Sequence, residues 1–165
     1  MKFNYYGFKA IYVHEMNRFL RTVGQSLLSP VISTSLYFVV FGSVIGGYIE
    51  KIDGVSYGSY IVPGLLMLTL LTQSISNTSF GIFFPKFNGT INEILAAPIS
   101  TIETVLAFVG AGATKTLIVG AVIYATASFF AEVSVKHPML MIFLLVLVSF
   151  TFALFGFLIG VVSKN

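Results

Sequence analysis

Residues 86–103, KFNGTINEILAAPISTIE, decide the fold of this chain. They form a short polar interruption between long apolar runs, and they hold two helix-start signals. Thr90-x-x-Glu93 and Ser100-x-x-Glu103 each set a carboxylate three residues after a hydroxyl. Side chains so spaced satisfy the first unpaired N–H groups of a helix. Pro98 lies between the two signals and stops the helix that the first one starts. A chain that only reversed direction would need a few polar residues. This stretch instead predicts a separate short helix over 90–97 and a new helix from Ser100. A short helix held between two membrane spans is a handle on which another protein can push.

The composition sets the class. Apolar residues make up 56% of the chain and charged residues 9%, against about 25% charged in an average soluble domain. With 17 Phe and a mean hydropathy of +0.95, a chain of this length has more apolar surface than a soluble core can hide. It has no cysteine, so nothing points to a disulfide framework, a thiol nucleophile or a thiolate metal site. The net charge of +3 is small and comes mostly from the N-terminal segment, which does not resemble a nucleic-acid patch.

Charge-free runs locate the spans. A helix needs about 20 mostly apolar residues to cross the hydrocarbon core. No Asp, Glu, Lys or Arg occurs over 22–49, 54–85 or 137–163, and the run 104–131 is broken only by Lys115. The expected spans are 25–47, 59–82, 103–130 and 139–163, giving an all-α, polytopic transmembrane bundle of four helices in one domain. With the N-terminus in the cytoplasm, Lys2, Lys9, Arg18, Arg21, Lys86 and Lys164 lie inside and Lys51 and Lys136 outside. That asymmetry is the one the positive-inside rule requires, and it makes the helix at 90–97 cytoplasmic.

The N-terminus lacks the form of a signal peptide, because polar residues interrupt its apolar cluster before any small-residue cleavage site. Phe8, Tyr12, Met16, Phe19, Leu20 and Val23 recur at helical spacing, with Lys9, His14, Asn17, Arg18 and Arg21 largely on other faces. The pattern predicts an amphipathic helix over 8–23 lying in the cytoplasmic interface, against the alternative that the first span simply extends into water. The outer loops are short. One carries the turn signal Asp53-Gly54, and the other ends at Pro138, a favoured first residue of a helix.

Within the spans, Gly42-x-x-x-Gly46 and Gly156-x-x-x-Gly160 have the spacing that lets helices approach closely, and ordinary packing explains them better than a dimer contact. In the second span Gln73 and Asn77 lie four apart on one face. They either line a polar path or bond helices together. Lys115 is the only charge inside a span, which makes it a functional candidate by default. It also sits about 22 Å along a helix that begins at Ser100, close enough to the interface for its ammonium to snorkel outward. The spans offer no acidic partner for it, so a structural role stands beside a transport role. No arrangement supports an enzyme: His14 and His137 fall on opposite sides of the membrane, and no phosphate loop of the G-x-x-x-x-G-K-[ST] type exists. The energy for any work must come from elsewhere.

At three places the sequence resembles the membrane-spanning permease subunit of ABC-2 type exporters. Ser29-Pro30-Val31 leading into Leu36-Tyr37-Phe38 and Phe41-Gly42 is similar to that family's first span. Gly54-Val55-Ser56-Tyr57 followed by Ile61-Val62-Pro63-Gly64-Leu65 resembles its approach to the second. Ile91-x-Glu93-Ile94-Leu95-x-Ala97-Pro98-Ile99-Ser100 is similar to its first cytoplasmic loop. The resemblance implies an N-terminal interface helix before six membrane helices in a bacterial or archaeal plasma membrane. It also implies a second permease subunit, likewise embedded in the lipid bilayer, and a separate ATPase subunit that carries ATP and magnesium, with no cofactor in this chain. The loop at 88–98 then contains the coupling helix, and Ile91, Glu93, Ile94, Leu95 and Pro98 are the positions implied to meet the ATPase. The family has two further spans beyond the fourth, so the resemblance implies that these 165 residues are its N-terminal part. A self-contained four-helix channel or carrier and a non-transporting scaffold remain the alternatives.

Overall fold

The computed structural model describes residues 3–41, 51–52, 54–131 and 135–163. In chain order these form α1 (Tyr5–Arg21), α2 (Val23–Val39), β1 (Lys51–Ile52), β2 (Val55–Ser56), α3 (Tyr57–Phe87), α4 (Ile91–Ala96), α5 (Thr101–Phe130) and α6 (Pro138–Val162). Among the described residues the architecture is all-α apart from one small hairpin. There Lys51 pairs with Ser56 and Ile52 with Val55. Gly54, from the expected Asp53-Gly54 turn signal, adopts φ 81°, a conformation that glycine takes without steric cost; Asp53 lies outside the described residues.

Among the described residues, three helices, α3, α5 and α6, are long and apolar enough to cross a membrane. Their boundaries refine the sequence reading. The third and fourth expected spans, 103–130 and 139–163, are Thr101–Phe130 and Pro138–Val162, the latter with its proline in the first turn. The second, expected over 59–82, runs from Tyr57 to Phe87 and continues through Pro85. Polar residues mark where a helix leaves the apolar layer, which need not be where the helix ends. Of the first span, expected over 25–47, helix α2 covers the part up to Val39. Residues 42–47, with Gly42-x-x-x-Gly46, lie outside the described residues.

Helix α5 is the central post. It packs against α1, α2, α3 and α6, and Ala107, Ala111, Gly112, Ala113, Gly120 and Ala127 are buried along it. Small side chains matter here because lipid is as apolar as leucine, so helices gain from each other chiefly by close backbone approach. A Cβ on Gly120 would lie 2.7 Å from the Leu70 side chain. Helix α6 applies the same device to α3. Its buried face is Ser149, Ala153, Gly156 and Gly160. A Cβ on Gly156 would lie 2.9 Å from Ile75 Cα, and one on Gly160 2.7 Å from the Ser79 carbonyl oxygen. The Gly156-x-x-x-Gly160 pair is thus spent on packing within the chain. The rest of α6 exposes large apolar side chains such as Met139, Phe143 and Leu158.

The ends of α3 and α6 meet. Lys86 Nζ donates to the carbonyls of Val161 at 2.8 Å, Ser163 at 2.7 Å and Gly160 at 3.4 Å. A cation at a helix C-terminus satisfies its unpaired carbonyls and complements its dipole. The same end of the bundle holds α4 and the start of α5.

Helix α1 starts three residues earlier than expected and stops at Arg21. Asn4 caps its start, the side chain accepting from the Gly7 N–H at 3.1 Å, and Thr22 breaks it from α2 with φ −113° and ψ 19°. The helix runs alongside α5 in the same direction. Its buried seam is Ile11, Glu15 and Phe19, a four-residue spacing rotated away from the stripe predicted from sequence. Phe8, Tyr12 and Met16 are half-buried, and Leu20 is exposed.

Candidate functional site

The α4 end is built from the loop that opened the sequence reading. Gly89, with φ 77°, turns the chain out of α3, and α4 follows as six residues without a buried side chain. The cap predicted at Thr90 is not formed. Thr90 has helical backbone angles, φ −68° and ψ −12°, whereas a capping side chain needs an extended backbone. Its hydroxyl donates to the Pro85 carbonyl at 3.4 Å, and the Glu93 N–H is taken by the Thr90 carbonyl at 3.1 Å. Glu93 is therefore released from capping and stands exposed.

The second predicted cap is complete. Ser100 Oγ accepts from the Glu103 N–H at 3.3 Å, and the Ser100 N–H donates to Glu103 Oε2 at 2.8 Å. The carboxylate then does a second job, as Oε1 accepts from the Asn4 N–H at 2.6 Å. Asn4 Nδ2 in turn donates to the Pro98 carbonyl at 3.2 Å. Gly7 adds a close approach, since a Cβ there would lie 2.7 Å from Ile99. The start of α1 is thus stapled to the loop between α4 and α5.

The five residues singled out on this loop divide by face. Leu95 is 73% exposed, and Glu93 and Pro98 are also exposed. Ile91 is half-buried. Ile94 packs against the core cluster of Ile11, Ile82, Ala107 and Phe108 and anchors the short helix.

Deeper in the bundle, Lys115 is not alone. Its Nζ lies 2.8 Å from Glu15 Oε2, and Arg18 Nη2 lies 2.8 Å from the same oxygen. The Lys115 and Glu15 side chains are 4% and 3% exposed, and that of Arg18 33%. This corrects the sequence expectation of a lysine without an acidic partner that snorkels to the interface. The partner comes from α1, which lies along α5 and carries Glu15 into its seam. Gly81 of α3 makes room for the group, as a Cβ there would stand 3.4 Å from Glu15 Oε2. Sequence reasoning missed Glu15. The one local signal is a carboxylate four residues from both Ile11 and Phe19, on the face they define. Nothing local points across a hundred residues to Lys115.

A cavity of about 400 Å³ opens beside this cluster, lined by Arg18, Ser26, Ser76, Asn77, Phe80 and Lys115 among others. Asn77 and Lys115, two of the three intramembrane candidates, thus meet at one space. Gln73 lines a separate cavity of about 250 Å³ between α2 and α3. The Asn77 amide and Gln73 Oε1 are 3.5 Å apart, a long and weak contact. The Gln73–Asn77 face of α3 thus fronts two cavities, while Ser74 of the same polar run donates to the Ser149 carbonyl of α6.

The family model described as ABC-2 type transporter matches residues 6–165. The chain is 38% identical over 157 residues to the "Inner membrane transport permease YadH" of Escherichia coli K12, a match covering 95% of this chain. The proteins of that name from Escherichia coli O157:H7 and Shigella flexneri match to the same degree. The chain spans 61% of the length of these curated relatives. No solved structure matches it. A polytopic bundle of this helical order, matched almost end to end by one family model, belongs to the ABC-2 type transporter family.

Proposed function

We propose that the chain is the membrane permease part of an ATP-driven exporter and receives its power stroke through α4 from a separate ATPase subunit that binds ATP and magnesium. The observation that carries this reading is the construction of α4. It is anchored by one side chain, Ile94, and presents Glu93 and Leu95 outward. Its C-terminal loop is bonded to α1 and opens α5 with a full capping box. A load on α4 would pass into the central helix and its companion together. Positive charge gathers at this end, which supports a cytoplasmic α4 and N-terminus. A second permease subunit, most simply another copy, completes the pathway, and the Gln73–Asn77 face of α3 lines part of it.

The test is co-purification. Leu95→Asp and Glu93→Lys should each abolish association with the cognate ATPase while the protein still inserts and stays folded. Retained association in both variants would remove α4 from the coupling role.

A further inference from the structure

We propose that the cavity between α1, α2, α3 and α5 is a binding site for a phosphate ester, filled by the phosphodiester headgroup of an anionic amphiphile. The inference needs no ATPase and no transport, so it stands or falls separately from the reading above.

The charges supply the first argument. Glu15 Oε2 receives both Arg18 and Lys115 at 2.8 Å. Two cations share one carboxylate, and one positive charge is left over at a site where Lys115 is almost wholly withdrawn from solvent. A charge held in a medium of low dielectric is costly until an anion compensates it. An ammonium has three N–H donors, and the hydrogen bond to Glu15 uses one of those on Lys115. The guanidinium of Arg18 has further donors in a planar fork suited to phosphate oxygens.

The walls supply the second. Ser26, Ser76 and Asn77 bring neutral polar groups to the same space, enough to serve a tetrahedral anion with several acceptor oxygens. Among the described residues, no carboxylate lines this cavity or the adjoining one, of about 350 Å³, which shares Arg18 and Phe84 and adds His14 and Arg21. The Lys and Arg side chains lining the two are Arg18, Arg21 and Lys115. A single negative charge, that of a phosphodiester, would balance the excess in the inner cavity.

The third argument is the apolar border. Phe80 and Phe84 line the inner cavity and are 63% and 53% exposed on the outer surface of α3. An acyl chain can lie over these rings while its phosphate reaches Arg18 and Lys115. The volume suits a headgroup, since small-molecule sites run from about 300 to 1,000 Å³.

Native mass spectrometry of the purified protein tests this with three probes: dioleoylphosphatidylglycerol, dioleoylglycerol without the phosphate, and glycerol 1-phosphate without the chains. The phospholipid should be retained at least about tenfold more strongly than dioleoylglycerol, the worth of one charge-assisted hydrogen bond. Lys115→Met should lower its retention by a similar factor. So should Arg18→Gln, which leaves the buried Glu15–Lys115 pair intact and keeps the result interpretable if the first variant folds poorly. Glu15→Gln should raise retention, a gain that simple damage to the fold would not produce. Displacement of the phospholipid by glycerol 1-phosphate at comparable concentration would mark a soluble phosphate ester as the ligand. Failure to displace it would mark a bilayer lipid, and either result upholds the phosphate site. Equal retention of phospholipid and dioleoylglycerol, or unchanged retention in both cation variants, would overturn it.

Discussion

The cluster around Glu15 makes a prediction whose sign pattern is unusual. Glu15 and Lys115 are both buried, but their dependence on each other is unequal. Without Lys115, Glu15 keeps Arg18 at 2.8 Å. Without Glu15, Lys115 loses its hydrogen-bond partner, and Arg18, one-third exposed, can turn to water. Two unit charges 2.8 Å apart attract by about 6 kcal/mol at an effective dielectric of about 20, and the desolvation of each ion opposes this by several kcal/mol. The intact pair therefore contributes little net stability, while a broken pair keeps the desolvation cost. Removing one partner of such a pair costs about 3–5 kcal/mol. Glu15→Gln should sit at the low end, about 3 kcal/mol, because the amide oxygen still accepts a hydrogen bond. Lys115→Met should cost about 1.5 kcal/mol, since one charge-assisted hydrogen bond is lost and one buried ion disappears with it. The double variant should cost only about 1–2 kcal/mol, well short of the additive value of roughly 4.5 kcal/mol. Denaturant unfolding in mixed micelles measures this, followed by circular dichroism because the chain has no Trp. A double variant at the additive value, or a Lys115→Met cost above that of Glu15→Gln, would refute the reasoning.

Further outcomes follow from particular contacts. Gly156→Ala places a methyl 2.9 Å from Ile75 Cα, a backbone atom that cannot turn aside, and should cost about 1–3 kcal/mol. Gly64→Ala meets nothing within 4 Å and should be neutral or stabilising by up to about 1 kcal/mol in the same unfolding series. Lys86→Met leaves three carbonyls at the end of α6 without their donor. It should cost about 1–2 kcal/mol and speed amide exchange in the last turn of α6. Ser100→Ala should cost about 1 kcal/mol and speed exchange at Asn4 and Glu103 together, while Thr90→Ala, which loses no cap bond, should stay within about 0.5 kcal/mol.

The legible parts of this molecule are the local ones. Pro138 and the Ser100–Glu103 box each fix a helix start by chemistry confined to one turn, and both fall where the sequence places them. The hairpin that turns at Gly54 is equally local. Thr90-x-x-Glu93 has the same letters as the working cap and fails, because Gly89 turns the chain so that Thr90 is already helical. A side-chain pattern cannot report the backbone angle on which capping depends. The seam of α1 is hard to read for a related reason. Apolar residues at helical spacing mark one face, but the seam that meets α5 also carries a carboxylate, and only the position of Lys115 makes that carboxylate buriable. The shared face of Gln73 and Asn77 is readable from their spacing, whereas the two separate cavities they line are set by how the helices meet.

A charge pair at this depth also answers a problem that apolar packing leaves open. Helices in lipid gain little from burying one more leucine, so an apolar seam such as Ile11 and Phe19 on α5 would hold nearly as well after sliding by a turn. Polar contacts do not allow that. Asn4 with Glu103, Tyr12 with Thr114 and Glu15 with Lys115 join α1 to α5 at successive heights, and a shift of one turn would break all three and bury Lys115 unpaired. The pair thus contributes little as a source of stability and much as a stop that sets register. That register is what lets Asn4 reach Pro98 while Arg18 stands at the cavity mouth. With α1 and α5 locked, the loop that carries α4 and the charged cavity lie at two points of one rigid pair of helices, so a displacement of α4 large enough to tilt α5 must also move Arg18 and Lys115.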